Sequence, residues 1–255
     1  MSRIDLKIEG AIATLLVSNP TKLNALTPDM LAQLAAHCDA LDVDADVRVV
    51  LISGDHPKAF CVGADIAAWA KLPPARFARS WVRDGHRIFD RLARLSKPTI
   101  AVLNGHAFGG GLELATACDI RVMAPKARIA LPEAQVGVVP GWSGTQRLQR
   151  LIPEGVIKEM ALFGRQLSAD RAHQLGLVSE VVDDPMSVAL DIAANAAKLS
   201  PRATEISKNM IHAGAGEDSA ALIEALGGGL IATSDDKSEG VAAFSEKRSP
   251  DFSGK

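Results

Sequence analysis

The sequence has no surplus of charge of either sign: 28 lysines and arginines stand against 30 aspartates and glutamates. A chain so balanced lacks the electrostatic footprint of a nucleic-acid binder. Cysteine is scarce as well. Cys38, Cys61 and Cys118 are odd in number, with no C-x-x-C pair and no adjacent histidine spaced as a metal ligand, which argues against a disulfide framework or a zinc site and fits a reducing compartment. No apolar stretch is long enough to cross a bilayer, and residues 1–10 alternate in polarity without the basic start and apolar core of a secretory signal. These absences lead us to expect a cytoplasmic protein with no membrane or nucleic-acid partner.

What is present is a chain of 255 residues, 47% hydrophobic, enough for one large domain or one domain with a small appendage. Ile4, Leu6 and Ile8 alternate up to Glu9-Gly10, and Ile12 and Leu15-Leu16-Val17 follow, the pattern of two strands joined by a tight turn. Thr27 caps a helix with Pro28 at its first position, and Leu31, Leu34, Cys38 and Leu41 recur at helical spacing. The short β-branched runs at 47–53, 99–103 and 120–123 read as strands buried on both faces. From about Pro185 to Phe244 the chain is nearly all helical, broken at Ser200-Pro201 and at 214–216. The expectation is an α/β core over 1–195 and a helical region over 196–255. Gly227-Gly228-Gly229 should mark a break or a close contact, since each glycine costs a helix about 1 kcal/mol.

Chemistry concentrates where the apolar run after Lys97-Pro98 meets Gly109-Gly110-Gly111 and then a helix-like stretch. Glycine there lets backbone amides approach an anion or oxyanion closely. By themselves the glycines read more readily as a tight strand-to-helix turn without a ligand. The spacing is not G-x-G-x-x-G, and Gly141-Trp142-Ser143-Gly144 misses the G-x-S-x-G elbow by one position, so a dinucleotide fold and a serine hydrolase are poorly supported. Glu113 alone reads as a carboxylate at a helix start, and Glu133 as a loop or cap residue. His106, beside the glycines, reads as packing or lining, and Trp69, Trp81 and Trp142 as core or pocket wall.

Several segments together carry more than any one of them. They are Asn19-Pro20-Thr21-Lys22-Leu23-Asn24-Ala25-Leu26, Ala59-Phe60-Cys61-Val62-Gly63-Ala64-Asp65-Ile66, Asn104-Gly105-His106-Ala107-Phe108-Gly109-Gly110-Gly111-Leu112-Glu113-Leu114, Leu131-Pro132-Glu133, Gly144-Thr145-Gln146-Arg147-Leu148 and Glu239-Gly240-Val241-Ala242-Ala243-Phe244-Ser245-Glu246-Lys247-Arg248. In order and spacing, over almost the whole chain, this set resembles the crotonase (enoyl-CoA hydratase/isomerase) family.

The resemblance implies an α/β fold built as a spiral of ββα units with a helical C-terminal trimerisation region, assembled as a homotrimer or a homohexamer. It implies an oxyanion hole from the amides of Ala64 and Gly110, with Glu113 activating water and Glu133 protonating the α-carbon. Lys22, Leu23, Val62, Asp65 and Ile66 match positions that line the coenzyme A channel, and Trp142 stands where a smaller residue is usual, beside the acyl group. The substrate implied is an acyl-CoA thioester, with coenzyme A as part of the substrate and no metal, flavin or nicotinamide. Both glutamates favour hydration over double-bond isomerisation, and both over a non-catalytic acyl-CoA or RNA-binding role.

Overall fold

The computed structural model describes residues 2–255, which divide into two compact units at the boundary between Thr204 and Glu205. This boundary falls inside the helix Pro201–Gly214. Among the described residues, no helix is long and apolar enough to cross a membrane.

In the first unit the strands are, in chain order, β1 (Arg3–Glu9), β2 (Ile12–Ser18), β3 (Val49–Gly54), β4 (Ala59–Cys61), β5 (Thr99–Leu103), β6 (His106–Phe108), β7 (Ile120–Met123), β8 (Arg128–Ala130), β9 (Leu167–Ser168) and β10 (Glu180–Val181). β1 and β2 form the expected antiparallel hairpin, with Ile4 opposite Val17 and Leu6 opposite Leu15. The helix that follows, Pro28–Val43, starts where Thr27 accepts a hydrogen bond from the Met30 amide, and buries Met30, Leu31, Leu34, Cys38 and Leu41 at the spacing read from the sequence.

From β3 to β8 the chain lays alternate strands into two sheets, after which β9 joins the second sheet antiparallel to β8 and β10 the first. One runs β1-β2-β3-β5-β7-β10 and the other β4-β6-β8-β9. Pairing is parallel from β2 through β3, β5 and β7 to β10, and again from β4 through β6 to β8. Each turn thus contributes one strand to each sheet and then a helix, which is the expected spiral of ββα units. The helices after β4 and β6 are Ile66–Trp69 and Gly110–Thr116, and Gly144–Leu148 follows β8 at a distance. β3 is buried at every position, as its unbroken apolar run requires. Ala189 and Ala193 of the helix Pro185–Ala196 cover Val49, Leu51, Ile100, Val102 and Val122 on one face.

A buried arginine ties these turns together. Arg121, on β7, is 4% exposed and donates to the carbonyls of Leu177 (2.5 Å), Cys118 (2.8 Å), Asp119 (3.1 Å) and Ala115 (3.3 Å). It therefore satisfies backbone acceptors at and just past the end of the helix Gly110–Thr116, which carries Glu113, and links them to Leu177.

The second unit holds the helices Ser219–Ala232 and Asp235–Glu246. The glycines at 227–229 correct the expectation stated above: the helix runs through them without a break, and a side chain added at any of the three would meet nothing within 4 Å. Arg248 pairs with Glu239 at 2.8 Å and with Glu246 at 2.6 Å, and Glu239 also accepts from the Asp251 amide. These contacts hold the Glu239 carboxyl down at about 2. The terminal segment of the family pattern is thus a local staple on the last helix.

Replacing Arg121 with methionine strands several buried carbonyls, and we expect a loss of about 3 kcal/mol in unfolding free energy. Urea unfolding followed by circular dichroism checks this, and a loss below about 0.5 kcal/mol would contradict it.

Candidate active site

Glu113 stands on the first turn of the helix Gly110–Thr116 and is 2% exposed. Burying a carboxylate is tolerable only where donors replace water. Here the loop before the helix Gly144–Leu148 supplies them: Glu113 Oε1 accepts from the amides of Trp142 at 2.8 Å and Gly144 at 2.9 Å. Ser143 sits between them at φ 71, a left-handed turn that aims both amides the same way. Arg147, 4% exposed, braces the loop by donating to the Trp142 carbonyl at 3.0 Å. Burial pushes the Glu113 carboxyl above the ordinary range, while the amides of Gly144, Trp142 and Gly141 and the Arg147 charge pull it back.

Glu133 is treated in the opposite way. It opens the short turn Glu133–Val136 behind Pro132, and both its carboxyl oxygens are buried without a hydrogen-bond partner. Burial raises it from 4.5 to about 7, its own amide opposes that rise, and the Glu113 charge adds to it. The two carboxyls therefore differ in environment: one is solvated by amides, the other is dry. Space for the dry one depends on Gly109, whose φ is +52 and whose Cβ, if present, would stand 2.9 Å from Glu133 Oε1.

Ala64 and Gly110 line the same cavity. Leu26 donates to the Gly63 carbonyl at 2.7 Å and Asp65 to the Leu26 carbonyl at 2.8 Å, so the amide of Ala64, between them, is left over. Among the described residues neither Ala64 nor Gly110 donates its amide to a backbone acceptor. The segments touch: a Cβ on Gly63 would lie 3.1 Å from the Gly110 nitrogen, and one on Gly110 would lie 2.7 Å from the Trp142 ring. Asn24, wholly buried, fixes the first segment by accepting from the Asn19 amide at 2.9 Å and donating to the carbonyls of Ala59 and Phe60 at 3.1 and 3.2 Å.

The cavity these groups border has a volume of about 250 Å³. Of the residues singled out from the sequence, Val62, Ala64, Ile66, Gly109, Gly110, Glu113, Glu133 and Trp142 line it, as do Trp69 and Trp81, read as core or pocket wall. Lys22, Leu23 and Asp65 do not; Lys22 pairs with Asp65 at 2.7 Å, and the Leu23 carbonyl accepts from the Val62 amide. Asp65 also caps the helix Ile66–Trp69. His106 lies outside, stacked on Phe108 and accepting from the Arg128 amide. Sequence reasoning missed Phe77, Val82, Gln135, Val136, Val138 and Val139, which complete the lining. It also missed the amides that hold Glu113, whose only trace in the sequence is a glycine on either side of Trp142-Ser143.

Known proteins share this arrangement of strands and segments. The family model described as enoyl-CoA hydratase/isomerase matches residues 7–255. The short-chain-enoyl-CoA hydratase of Clostridium acetobutylicum is 34% identical, covering 97% of this chain and 96% of its own length. The crotonyl-CoA hydratase of Syntrophomonas wolfei is 36% identical, with 98% and 97% covered. The crystal structure of an enoyl-CoA hydratase from Bacillus anthracis superposes with a TM-score of 0.81 at 32% identity, with 99% of each chain covered. With a spiral of ββα units, a whole-length match to the family model and relatives at this identity, the chain belongs to the enoyl-CoA hydratase/isomerase, or crotonase, family.

Proposed function

We propose that this protein hydrates the double bond of a trans-2-enoyl-CoA to give a 3-hydroxyacyl-CoA. The observation that carries the reading is the pairing of one amide-held carboxyl, Glu113, with one dry carboxyl, Glu133, on a cavity bordered by two uncommitted amides. The named activities of the Clostridium and Syntrophomonas relatives support it.

In the proposed reaction the thioester carbonyl oxygen accepts from the amides of Ala64 and Gly110. Water attacks the β-carbon as Glu113 takes one of its protons, and the electron pair of the double bond passes through the α-carbon to the carbonyl oxygen as an enolate. The α-carbon then takes a proton from Glu133. The two amides are worth most at the enolate, where charge on that oxygen is greatest, and losing one such donor typically costs about 2.7 to 4 kcal/mol. A base must be ionised and an acid protonated near neutral pH. Burial raises both carboxyls; at Glu113 the amides and the Arg147 charge oppose that rise in favour of the charged form, whereas the dry surroundings of Glu133 carry it to about 7 and favour its neutral form. An isomerase would need only a single proton shuttle and would leave one of these carboxyls without a task. Lys22 and Asp65, paired outside the cavity, are assigned to the coenzyme A side.

We further propose a homotrimer, alone or doubled to a hexamer, working in the cytoplasm. The second unit exposes Ile223, Leu230, Ile231 and Phe244 at 70%, 76%, 56% and 87%, more apolar surface than a monomer comfortably leaves in water.

Glu113→Gln and Glu133→Gln should each lower kcat on crotonyl-CoA by about 100- to 10,000-fold. Retention of near-full hydration by either variant contradicts the roles given; activity on 3-enoyl but not 2-enoyl thioesters would instead mark an isomerase. Because Glu133 gives its proton only while protonated, kcat/KM should decline as pH rises through about 7. The same group affects stability. A carboxyl whose folded value is raised costs nothing below about 4.5, an increasing amount between there and about 7, and its full penalty above, about 3 kcal/mol. Glu133→Gln should therefore melt higher than the parent at pH 8 and equal to it at pH 4; a gap independent of pH contradicts this assignment. Light scattering should return three or six times the chain mass, and a monomer would refute the assembly.

A further inference from the structure

We infer that the acyl end of the cavity is built for a planar, uncharged aryl group, with Trp142 as the specificity-determining residue; this rests on the proposed action on 2-enoyl thioesters. The chain has three tryptophans and no tyrosine, and all three tryptophans line this one cavity, joined by Phe77. The rings are held in pairs. Trp81 and Trp142 lie 5.3 Å apart, tilted 55°, and Trp69 and Phe77 lie 5.6 Å apart, tilted 57°. Tilted pairs present both ring faces and ring edges, the two partners an aromatic ring seeks and an alkyl chain cannot exploit equally.

The wall is also fixed. The Trp142 indole donates to the Trp81 carbonyl at 3.3 Å and meets Phe89, itself fully buried, edge-on at 5.1 Å. Trp81 lies on a π-helical turn, Phe77–Val82, which also presents Phe77 and Val82 to the cavity. Because the Trp142 ring is pressed against Gly110, an acyl group held at the Gly110 amide must extend along the indole. Among the described residues no lysine, arginine or histidine lines the cavity, so a carboxylate on the acyl group would find no counter-charge there.

The test compares 3-hydroxy-3-phenylpropanoyl-CoA with 3-hydroxynonanoyl-CoA, whose acyl groups have equal carbon counts. Both are followed by dehydration, since conjugation with the ring opposes the hydrated form. The parent should dehydrate the aryl thioester with kcat/KM at least tenfold higher, equivalent to about 1.4 kcal/mol. Trp142→Ala and, separately, Phe77→Ala should bring the ratio within about threefold, a quotient insensitive to general damage. Tryptophan fluorescence should show 3-phenylpropanoyl-CoA binding more tightly than nonanoyl-CoA. A linear substrate handled as well or better, or an unchanged ratio in both variants, overturns this inference while leaving the hydratase reading intact. If crotonyl-CoA is not hydrated at all, the hydratase reading fails, and equal binding of the two saturated thioesters then overturns the aryl slot too.

Discussion

The site depends on one contact, the hydrogen bonds from the Trp142 and Gly144 amides to Glu113 Oε1. A carboxylate this deeply buried would take up a proton without donors, and a neutral Glu113 could not act as a base. The donors are main-chain groups of a loop turned by Ser143 in a left-handed conformation and held by Arg147, so they need no reorganisation when charge moves. Trp142 contributes its amide to Glu113 and its indole to the cavity wall. The loop that holds the base also shapes the acyl site.

The surrounding fold places this contact. The alternation of strands between two sheets brings the ends of β4 and β6 together, and with them the chain at Gly63-Ala64 and Gly109-Gly110. Asn24 holds the first of these by its hydrogen bonds to Ala59 and Phe60, and Arg121 holds the end of the helix that begins at the second. At Glu133 both carboxyl oxygens are buried without a hydrogen-bond partner. Its cost to stability is the counterpart of a pKa near neutrality.

Much of this was legible in the residues. The hairpin, the helix capped by Thr27 and the strands at 99–103 and 120–123 follow from alternation, spacing and unbroken apolar runs, which are local signals. Glu113, Glu133, Ala64 and Gly110 were named from motif positions, and the fold draws them onto one cavity. Lys22, Leu23 and Asp65, named in the same way for the coenzyme A channel, lie off this cavity, with Lys22 and Asp65 paired to each other. Donor geometry was hidden: which amide points at a carboxyl depends on the Ser143 dihedral, which no local propensity encodes. The parts of the wall made by Phe77 and Val82 were equally opaque, since a π-helical turn shifts side chains off the usual helical spacing, whereas Trp81, read from the sequence as core or pocket wall, lines the cavity. The continuous helix through 227–229 shows the limit of propensity, because three glycines disfavour a helix without forbidding it.

The most direct measurement is a crystal structure with 3-hydroxybutyryl-CoA bound. The account predicts the thioester oxygen about 2.7 to 3.1 Å from both the Ala64 and Gly110 amides, the 3-hydroxyl within hydrogen-bond reach of Glu113, and Glu133 against the α-carbon. A thioester oxygen bound elsewhere, or either carboxyl turned away from the acyl group, would contradict it.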